Sequence, residues 1–190
     1  MRSGKRNLLA PNVRAPYFGV MHIRRLTVDD ARAFREIRVE MCGLHPEAFG
    51  QTPEEVMDAS DNKLAEWLSP NDVFPEKFIL GCFEAERMVG TVGFFRDDSF
   101  KGRHRGWIWS VYVRPEGRGK GISRQLMQQL IDEARRIDGL EVLALTVSVP
   151  QTAARALYVS LGFFATGLSP HGYKLPDGRY IDEEEMMLWL

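Results

Sequence analysis

Apolar residues recur along this chain with two different periods, and the switch between the periods marks strands and helices. Residues 107–113 alternate with period two, which predicts a strand that Pro115 ends. Residues 122–137 carry apolar side chains at helical spacing, which predicts a helix that Gly139 ends. A turn with three glycines and two basic residues, 117–121, joins the two. The centre of the chain is therefore predicted to form a strand, a glycine turn and a helix.

The same two periods predict the elements on either side. In chain order these are a strand over 22–26, a helix to about 41, a helix over about 53–68, hairpin strands over 78–83 and 88–95, a strand over 140–149, a helix over about 150–161, and strands over 173–175 and 180–190. Thr27 with Asp30, and Thr52 with Glu55, have the spacing of a capping box, so each pair is expected to begin a helix. The polar residues 60–62 are the expected break in the second of these helices.

The strand that follows the central helix decides the fold class. Residues 140–149 are rich in β-branched side chains, and a crossover helix separates them from the strand at 107–113, so the two strands are expected to be parallel. Together with the hairpin, this predicts one α/β domain over residues 21–190, with a mixed sheet flanked by helices. Residues 1–20 have no apolar run long enough for a signal peptide or a membrane span. They are predicted to be an extension that is mobile unless it docks on another surface; the alternative is a basic arm that binds an anionic partner.

Composition narrows the function classes only a little. The 190 residues are 44% hydrophobic and 27% charged, with a formal net charge of −1, which gives no general attraction to nucleic acid or membrane. Cys42 and Cys82 show no motif spacing, so neither a disulfide framework nor a metal site is expected. A reducing, cytoplasmic compartment is therefore predicted.

The glycine turn has the features of a phosphate-binding site. The first amides of a helix lack intrahelical partners, and the helix dipole adds partial positive charge there. Glycines let a ligand approach the backbone, and Arg118 and Lys120 add charge. A P-loop is excluded because Gly121 stands where Ser or Thr is required, and a dinucleotide fingerprint is excluded because Arg124 or Ile122 stands at its third glycine. The alternative is a solvated connection that binds nothing.

The turn and the strand before it resemble motif A of the GNAT (GCN5-related N-acetyltransferase) family. The family pattern is Arg or Gln, two residues, Gly, one residue, then Gly or Ala. Arg118 and Gly121 fit the first two fixed positions. Ser123 stands at the last position, where it is still small and leaves its amide available.

A second segment, which begins at Pro150, resembles motif B of the same family. Ala154 and Tyr158 match that motif, while Gln151 stands where the family usually has Asn. The segment is predicted to be a helix with Pro150 at its first position and Gly162 at its end. Without the resemblance, Tyr158 would be interpreted as a tyrosine packed at a helix edge with a wet hydroxyl.

The resemblance implies a fold in which the two central parallel strands splay apart and leave backbone groups free to bind the pantetheine arm of acetyl-CoA. The residues expected to hold acetyl-CoA come from the central strand, the glycine turn and the second motif: Val111, Tyr112, Val113, Arg118, Gly119, Lys120, Gly121, Ile122, Ser123, Gln151, Ala154 and Tyr158.

The resemblance also implies a reaction, the transfer of acetyl from acetyl-CoA to a primary amine of a small molecule, amino acid or peptide by direct attack. Tyr158 is the expected catalytic residue, as proton donor to the departing thiolate. Trp107 stands where many relatives have Glu, so no general base is assigned, although His104 and Glu84 are candidates by location. The alternative function is a non-catalytic acyl-CoA sensor or regulatory module.

In the family's fold the loop at 42–51 borders the acceptor site. Side chains expected near the acceptor lie in or beside this loop, or on the central strand: Glu40, His45, Glu47, Trp107, Trp109 and Tyr112. The apolar residues 186–190 are expected either to fill the core or to join a sheet edge in a homodimer.

Overall fold

Seven strands and five α-helices are present in the part of the chain that the computed structural model describes, residues 21–69 and 76–190. In chain order the elements are β1 (Met21–Arg25), α1 (Ala31–Leu44), α2 (Pro53–Met57), α3 (Asp61–Leu68), β2 (Lys77–Glu84), β3 (Arg87–Arg96), β4 (Arg105–Val113), α4 (Ile122–Ala134), β5 (Val142–Ser148), α5 (Thr152–Ser160), β6 (Phe164–Lys174) and β7 (Tyr180–Trp189). The extension predicted for residues 1–20 lies outside the described residues.

The seven strands form one mixed sheet in the order β1-β2-β3-β4-β5-β7-β6. The first four strands are antiparallel neighbours, and β6 and β7 form an antiparallel pair that reaches β5. Only β4 and β5 run parallel within this sheet. The predicted α/β fold with a mixed sheet is therefore confirmed.

Helices cover both faces of this sheet. On one face, Leu126 and Leu130 of α4 pack with Leu143 and Leu145 of β5 in the larger apolar core. On the other face, α1, α2 and α3 build a second core around buried side chains such as Phe34. The sheet is thus a middle layer, and any opening within it leads from one helical layer towards the other.

Strands β4 and β5 separate soon after they meet. Their ladder holds three residue pairs and ends where Trp107 faces Ala144. Beyond that point β5 stays paired with β7 as far as Ser148, while the β5-facing edge of β4 has no described strand beside it. A register shift between β3 and β4 accompanies the separation, and Ser110 adopts a positive φ of 56° there. The splayed central strands implied by the family resemblance are confirmed.

The helix boundaries correct the sequence analysis in several places. The helix expected over 53–68 is two helices, because the hydroxyl of Ser60 accepts a hydrogen bond from the Lys63 amide and begins α3, at the predicted break. Helix α4 ends before the predicted stop at Gly139, which instead closes the following turn with a φ of 67°. Pro150 precedes α5 rather than opening it, while Gly162, with a φ of 96°, ends that helix as predicted.

Most of β6 was missed because its side chains give no pattern. Only residues 173–175 were predicted as strand there, but the strand starts at Phe164 and is exposed along most of its length. The C-terminal strand β7 lies between β5 and β6, so Met186 and Leu188 fill the core. In the described ranges, 21–69 and 76–190, no helix has the length and apolar character needed to cross a membrane.

Candidate active site

A cleft of about 520 Å³ opens where β4 and β5 separate. Its walls come from α1, from the loop between α1 and α2, from both splayed strands and from α5. The lining includes eight of the twelve residues predicted to hold acetyl-CoA: Val111, Tyr112, Val113, Arg118, Ser123, Gln151, Ala154 and Tyr158. A cleft of this size suits a small-molecule ligand.

The glycine turn ends at the mouth of this cleft with its amides free. Gly119 and Gly121 have φ values of 75° and 76°, in the left-handed region that favours glycine. The first helical bond of α4 runs from the Gln125 amide to the Gly121 carbonyl over 3.1 Å, and the amides of 119–124 bond to no other described residue. An added Cβ at Gly119 would meet no atom within 4 Å. Six free donors therefore face open space, as an anion site requires.

The two cations of the turn differ in position. Arg118 lines the cleft, where its Nε donates to the Val113 carbonyl over 3.2 Å. Lys120 lies outside the lining, and its Nζ is 3.5 Å from a carboxylate oxygen of Glu84. Ile122 buries its side chain in the core beside α4, so only its amide can reach a ligand. The turn therefore offers backbone donors and one well-placed guanidinium.

The stretch of β4 beyond its ladder with β5 lines the cleft, and no described strand pairs with its backbone on that side. Tyr112 donates its hydroxyl to Glu40 Oε1 over 2.9 Å, and Arg114 bonds the other oxygen of that carboxylate. Burial, reinforced by the Glu40 carboxylate, raises the pKa of Tyr112 to about 12. The Tyr112 side chain is thus committed to α1, and what β4 offers a ligand here is peptide groups.

Helix α5 supplies the opposite wall. Gln151, just before the helix, donates its Nε2 to Glu47 Oε1 over 2.6 Å, so the acceptor loop and α5 are bonded across the cleft. Tyr158 is 5% exposed, and its hydroxyl has no hydrogen-bond partner among the described residues. Burial raises the pKa of Tyr158, so the phenol stays protonated and can act as a hydrogen-bond donor.

The loop between α1 and α2 lines the cleft as expected, through His45, Ala48, Phe49 and Gly50. Of the aromatic residues proposed to line an acceptor pocket, Trp109 and Tyr112 do so, whereas Trp107 is not part of the lining. His104 and Glu84, the candidate bases, also lie outside it. Within the described chain, the lining contains no carboxylate, and no cluster of side chains suited to a metal ion is found.

Sequence reasoning missed several lining residues, of which Arg38 is the most informative. It lies on the inner face of α1 between Ile37 and Met41, so a charge stands among buried apolar residues. That position was the available signal, because a charged residue on an apolar stripe needs a reason. Three further residues line the cleft: Thr146, Ser148 and Tyr173. Nothing in the residue pattern around them indicates a role in a site.

Comparison with known proteins agrees with this geometry. The family model described as "Acetyltransferase (GNAT) family" matches residues 36–163, about two thirds of the chain. An L-methionine sulfoximine/L-methionine sulfone acetyltransferase of Salmonella typhimurium is 36% identical over 132 residues, which are 69% of this chain and 74% of that protein. The L-amino acid N-acyltransferase MnaT of Escherichia coli is 34% identical over 140 residues, 72% of this chain and 77% of that one.

Solved structures share the fold over nearly the whole chain. An acetyltransferase of the GNAT family from Streptococcus pneumoniae has a TM-score of 0.80 at 20% identity, covering 90% of this chain and 100% of that chain. A Salmonella typhimurium protein described as an acetyltransferase, solved with its cofactor acetyl-CoA, has a TM-score of 0.76 at 28% identity, covering 90% and 94%. With these matches and the splayed cleft, the chain belongs to the GNAT family and is an N-acetyltransferase.

Proposed function

We propose that this protein transfers the acetyl group of acetyl-CoA to the α-amine of an amino acid. The observation that carries the proposal is the cleft between β4 and β5, which is lined by Arg118 of the glycine turn, by Ser123 at the start of α4 and by side chains of the acceptor loop. The names of two relatives, which act on L-methionine derivatives and on L-amino acids, support the acceptor class.

The residues present fit acetyl-CoA on two counts. Free amides at the start of α4, with Arg118 beside them, suit the pyrophosphate, and the unpaired backbone of 111–113 suits the amide groups of the pantetheine arm. Gln151 and Ala154 line the wall opposite that backbone. When bound, acetyl-CoA supplies an acetyl group activated as a thioester.

The protein's part in the reaction is to orient the groups and supply one proton. Backbone donors near the bulge at Ser110 are placed to polarise a carbonyl in the cleft. Tyr158 is the proton donor to the departing sulfur, because the residue lines the cleft and its protonated hydroxyl has no other described partner. No described carboxylate lines the cleft, whereas the imidazole of His45 does, so the amine's proton passes to His45 or to solvent.

Thiol release across an amine panel tests this proposal. The panel holds L-amino acids, the amines that remain after their decarboxylation, lysine side-chain analogues and short peptides, each with acetyl-CoA. We expect amine-dependent thiol release that is fastest with free amino acids. Calorimetric binding of acetyl-CoA without thiol release from any amine would favour the sensor function and contradict the enzyme. Faster release with peptides than with amino acids would contradict the acceptor class.

The proposed compartment is the reducing cytoplasm. Cys42 and Cys82 are both buried and unpaired, and burial raises the pKa of both thiols, which favours their reduced, inert form. A homodimer remains a prediction, to which the exposed apolar side chains of Leu168 on the edge strand β6 and Trp189 at the end of β7 lend support. Light scattering during size-exclusion chromatography would decide it.

A further inference from the structure

Arg38 is a buried cation without an acidic partner among the described residues. The side chain is 5% exposed and borders the cleft. Its Nη1 donates to the Ser110 hydroxyl over 3.2 Å, its Nη2 donates to the side-chain oxygen of Gln51, and its Nε has no partner in the described chain. Both of its hydrogen-bond acceptors are neutral, so the positive charge is not compensated.

Aromatic rings surround this charge. The guanidinium carbon lies 5.0 Å from the centre of the Trp67 ring, 5.3 Å from that of Trp109 and 5.6 Å from that of Phe34. Such cation–π contacts attract the charge, but they do not neutralise it. Burial lowers the pKa of Arg38 to about 10. The two carboxylates of the same helix are bonded elsewhere: Glu36 to Arg32, and Glu40 to Tyr112 and Arg114. Buried charges are ordinarily paired, so an unpaired one beside a cleft indicates a ligand with the opposite charge.

The place of Arg38 relative to the reacting end of the cleft defines what the ligand can be. Ser110, which accepts its hydrogen bond, is the bulged residue of β4 beside the backbone donors assigned to the thioester carbonyl. In an α-amino acid the amine and the carboxylate are attached to the same carbon atom. A carboxylate held at Arg38 therefore brings its amine to the bulge, where acetyl transfer is proposed.

We propose that Arg38 binds the carboxylate of the amino acid acceptor, which replaces the side-chain oxygen of Gln51 on the guanidinium. The proposal rests on the acetyl-CoA-dependent function above and names how that site selects its acceptor. Gln51 ends the acceptor loop and offers a neutral oxygen, whereas a carboxylate forms the stronger, charge-assisted bond with arginine. The exchange leaves the guanidinium neutralised only when an acceptor is present.

Substitution of Gln51 gives the sharper test because it adds a competing charge without removing volume. In Gln51→Glu, an internal carboxylate occupies the guanidinium, so the KM for an amino acid rises about 10-fold to 100-fold. The KM for the amine obtained by decarboxylating that amino acid stays unchanged. Gln128→Glu, the same change on the exposed face of α4, is the matched control and alters neither KM.

Substitution of Arg38 itself gives the complementary result. Arg38→Met removes the charge, and kcat/KM for L-methionine falls about 10-fold to 100-fold, while that for its decarboxylated amine is unchanged or rises. Arg32→Met on the exposed side of the same helix is the control. Circular dichroism and calorimetric binding of acetyl-CoA check that each variant is folded. Should Arg38→Met fail to fold, Gln51→Glu alone decides.

The outcomes separate this proposal from the function on which it rests. If the wild type releases no thiol with any amine, the proposed function fails, and equilibrium binding of L-methionine against its decarboxylated amine still tests Arg38. The proposal is supported if the wild type prefers the amino acid over its decarboxylated amine and Gln51→Glu does not. Two results overturn it: an equal fall in kcat/KM for both compounds in Arg38→Met, or a KM in Gln51→Glu that changes equally, or not at all, for both. Arg38 would then only position the bulge.

Discussion

The two ends of the cleft, one for the acetyl donor and one for the acceptor, are formed by different chemical groups. The donor end consists mainly of backbone: free amides of the glycine turn and peptide groups of a strand edge, contributed by two short segments, 111–123 and 151–158. The acceptor end consists of side chains from α1, the following loop, β4 and β6, brought together from distant parts of the chain: Arg38, Phe49, Trp109 and Tyr173.

This difference explains why one end can be common to a family and the other can vary. Backbone donors are present whatever the side chains are, so the donor end needs only a few glycines and small residues to stay open. Each acceptor-end contact belongs to one side chain and changes with a single substitution. Specificity within a shared fold is therefore expected to reside in the acceptor end.

The largest expected effect breaks the donor end through its backbone. Gly119→Glu puts a negative charge among the free amides, and we expect the affinity for acetyl-CoA to fall more than about 100-fold. Gly178→Glu is the matched control, since Gly178 also has a positive φ, of 89°, and open surroundings. The free energy of unfolding should fall by a similar amount in both variants. Calorimetry should therefore find that they differ only in their affinity for acetyl-CoA. Equal affinities in the two variants would contradict the phosphate role of the turn.

The next effect removes one side chain on which the donor end depends. In Tyr158→Phe we expect kcat to fall about 100-fold, because the departing sulfur loses its proton donor, while the Kd for acetyl-CoA is unchanged. Steady-state kinetics across pH, with calorimetry on the same preparation, make the measurement. Phe163→Leu is a control for packing, because the two rings lie 6.1 Å apart. Unchanged turnover and pH profile in Tyr158→Phe would withdraw the assignment.

A smaller effect loosens the acceptor end alone. Thr52 caps α2 directly after the acceptor loop, where its Oγ1 accepts from the Glu55 amide over 3.2 Å. Thr52→Ala should lower the free energy of unfolding by about 1 kcal/mol and raise the KM for the acceptor, without changing the Kd for acetyl-CoA. Ser60→Ala at the start of α3 should cost similar stability and leave both constants unchanged. A changed acetyl-CoA affinity in Thr52→Ala would show that the two ends are not independent.

The smallest effect lies outside both ends. Arg24 bonds both oxygens of Asp30 over 2.7 Å, and this hydrogen-bonded pair holds the pKa of Asp30 below its ordinary value of 3.8. Asp30→Asn should cost a few tenths of a kcal/mol, because the Arg24 side chain is 43% exposed and the pair is screened. The contribution is present above pH 3.8 and is lost as pH falls through the lower, folded-state pKa. Urea unfolding should show a larger difference at pH 7 than at pH 2, with both ligand affinities unaltered at pH 7.

The contrast between the donor end and the acceptor end also explains which parts of the structure could be predicted from the sequence. The glycine turn and both capping boxes were recognisable because their chemistry is complete within a few consecutive residues. Splaying of β4 from β5 came from the family resemblance, since nothing in the residues of either strand indicates where a ladder ends. The exposed strand β6 has no apolar face to create a pattern, so most of it was missed.

The acceptor end was harder to predict because its members meet only after folding. Arg38 and Gln51 are close in sequence, yet the hydrogen bond between them depends on where α1 ends and how the loop returns. Tyr173 reaches the cleft from a hairpin more than a hundred residues later. Glu40 was expected near the amine, but the structure commits it to Tyr112 and Arg114, which a helical pattern cannot show.

The bond between Glu47 and Gln151 has a consequence for the kinetics. It ties the loop that carries one substrate's site to the residue expected to touch the other, across the mouth of the cleft. If Gln151 gave its amide to the pantetheine arm of bound acetyl-CoA, Glu47 would be released, and any resulting change in acceptor affinity would be matched by an equal change in donor affinity. The order in which the two substrates enter, and the ease with which the free thiol leaves, would then depend on a single amide changing partners.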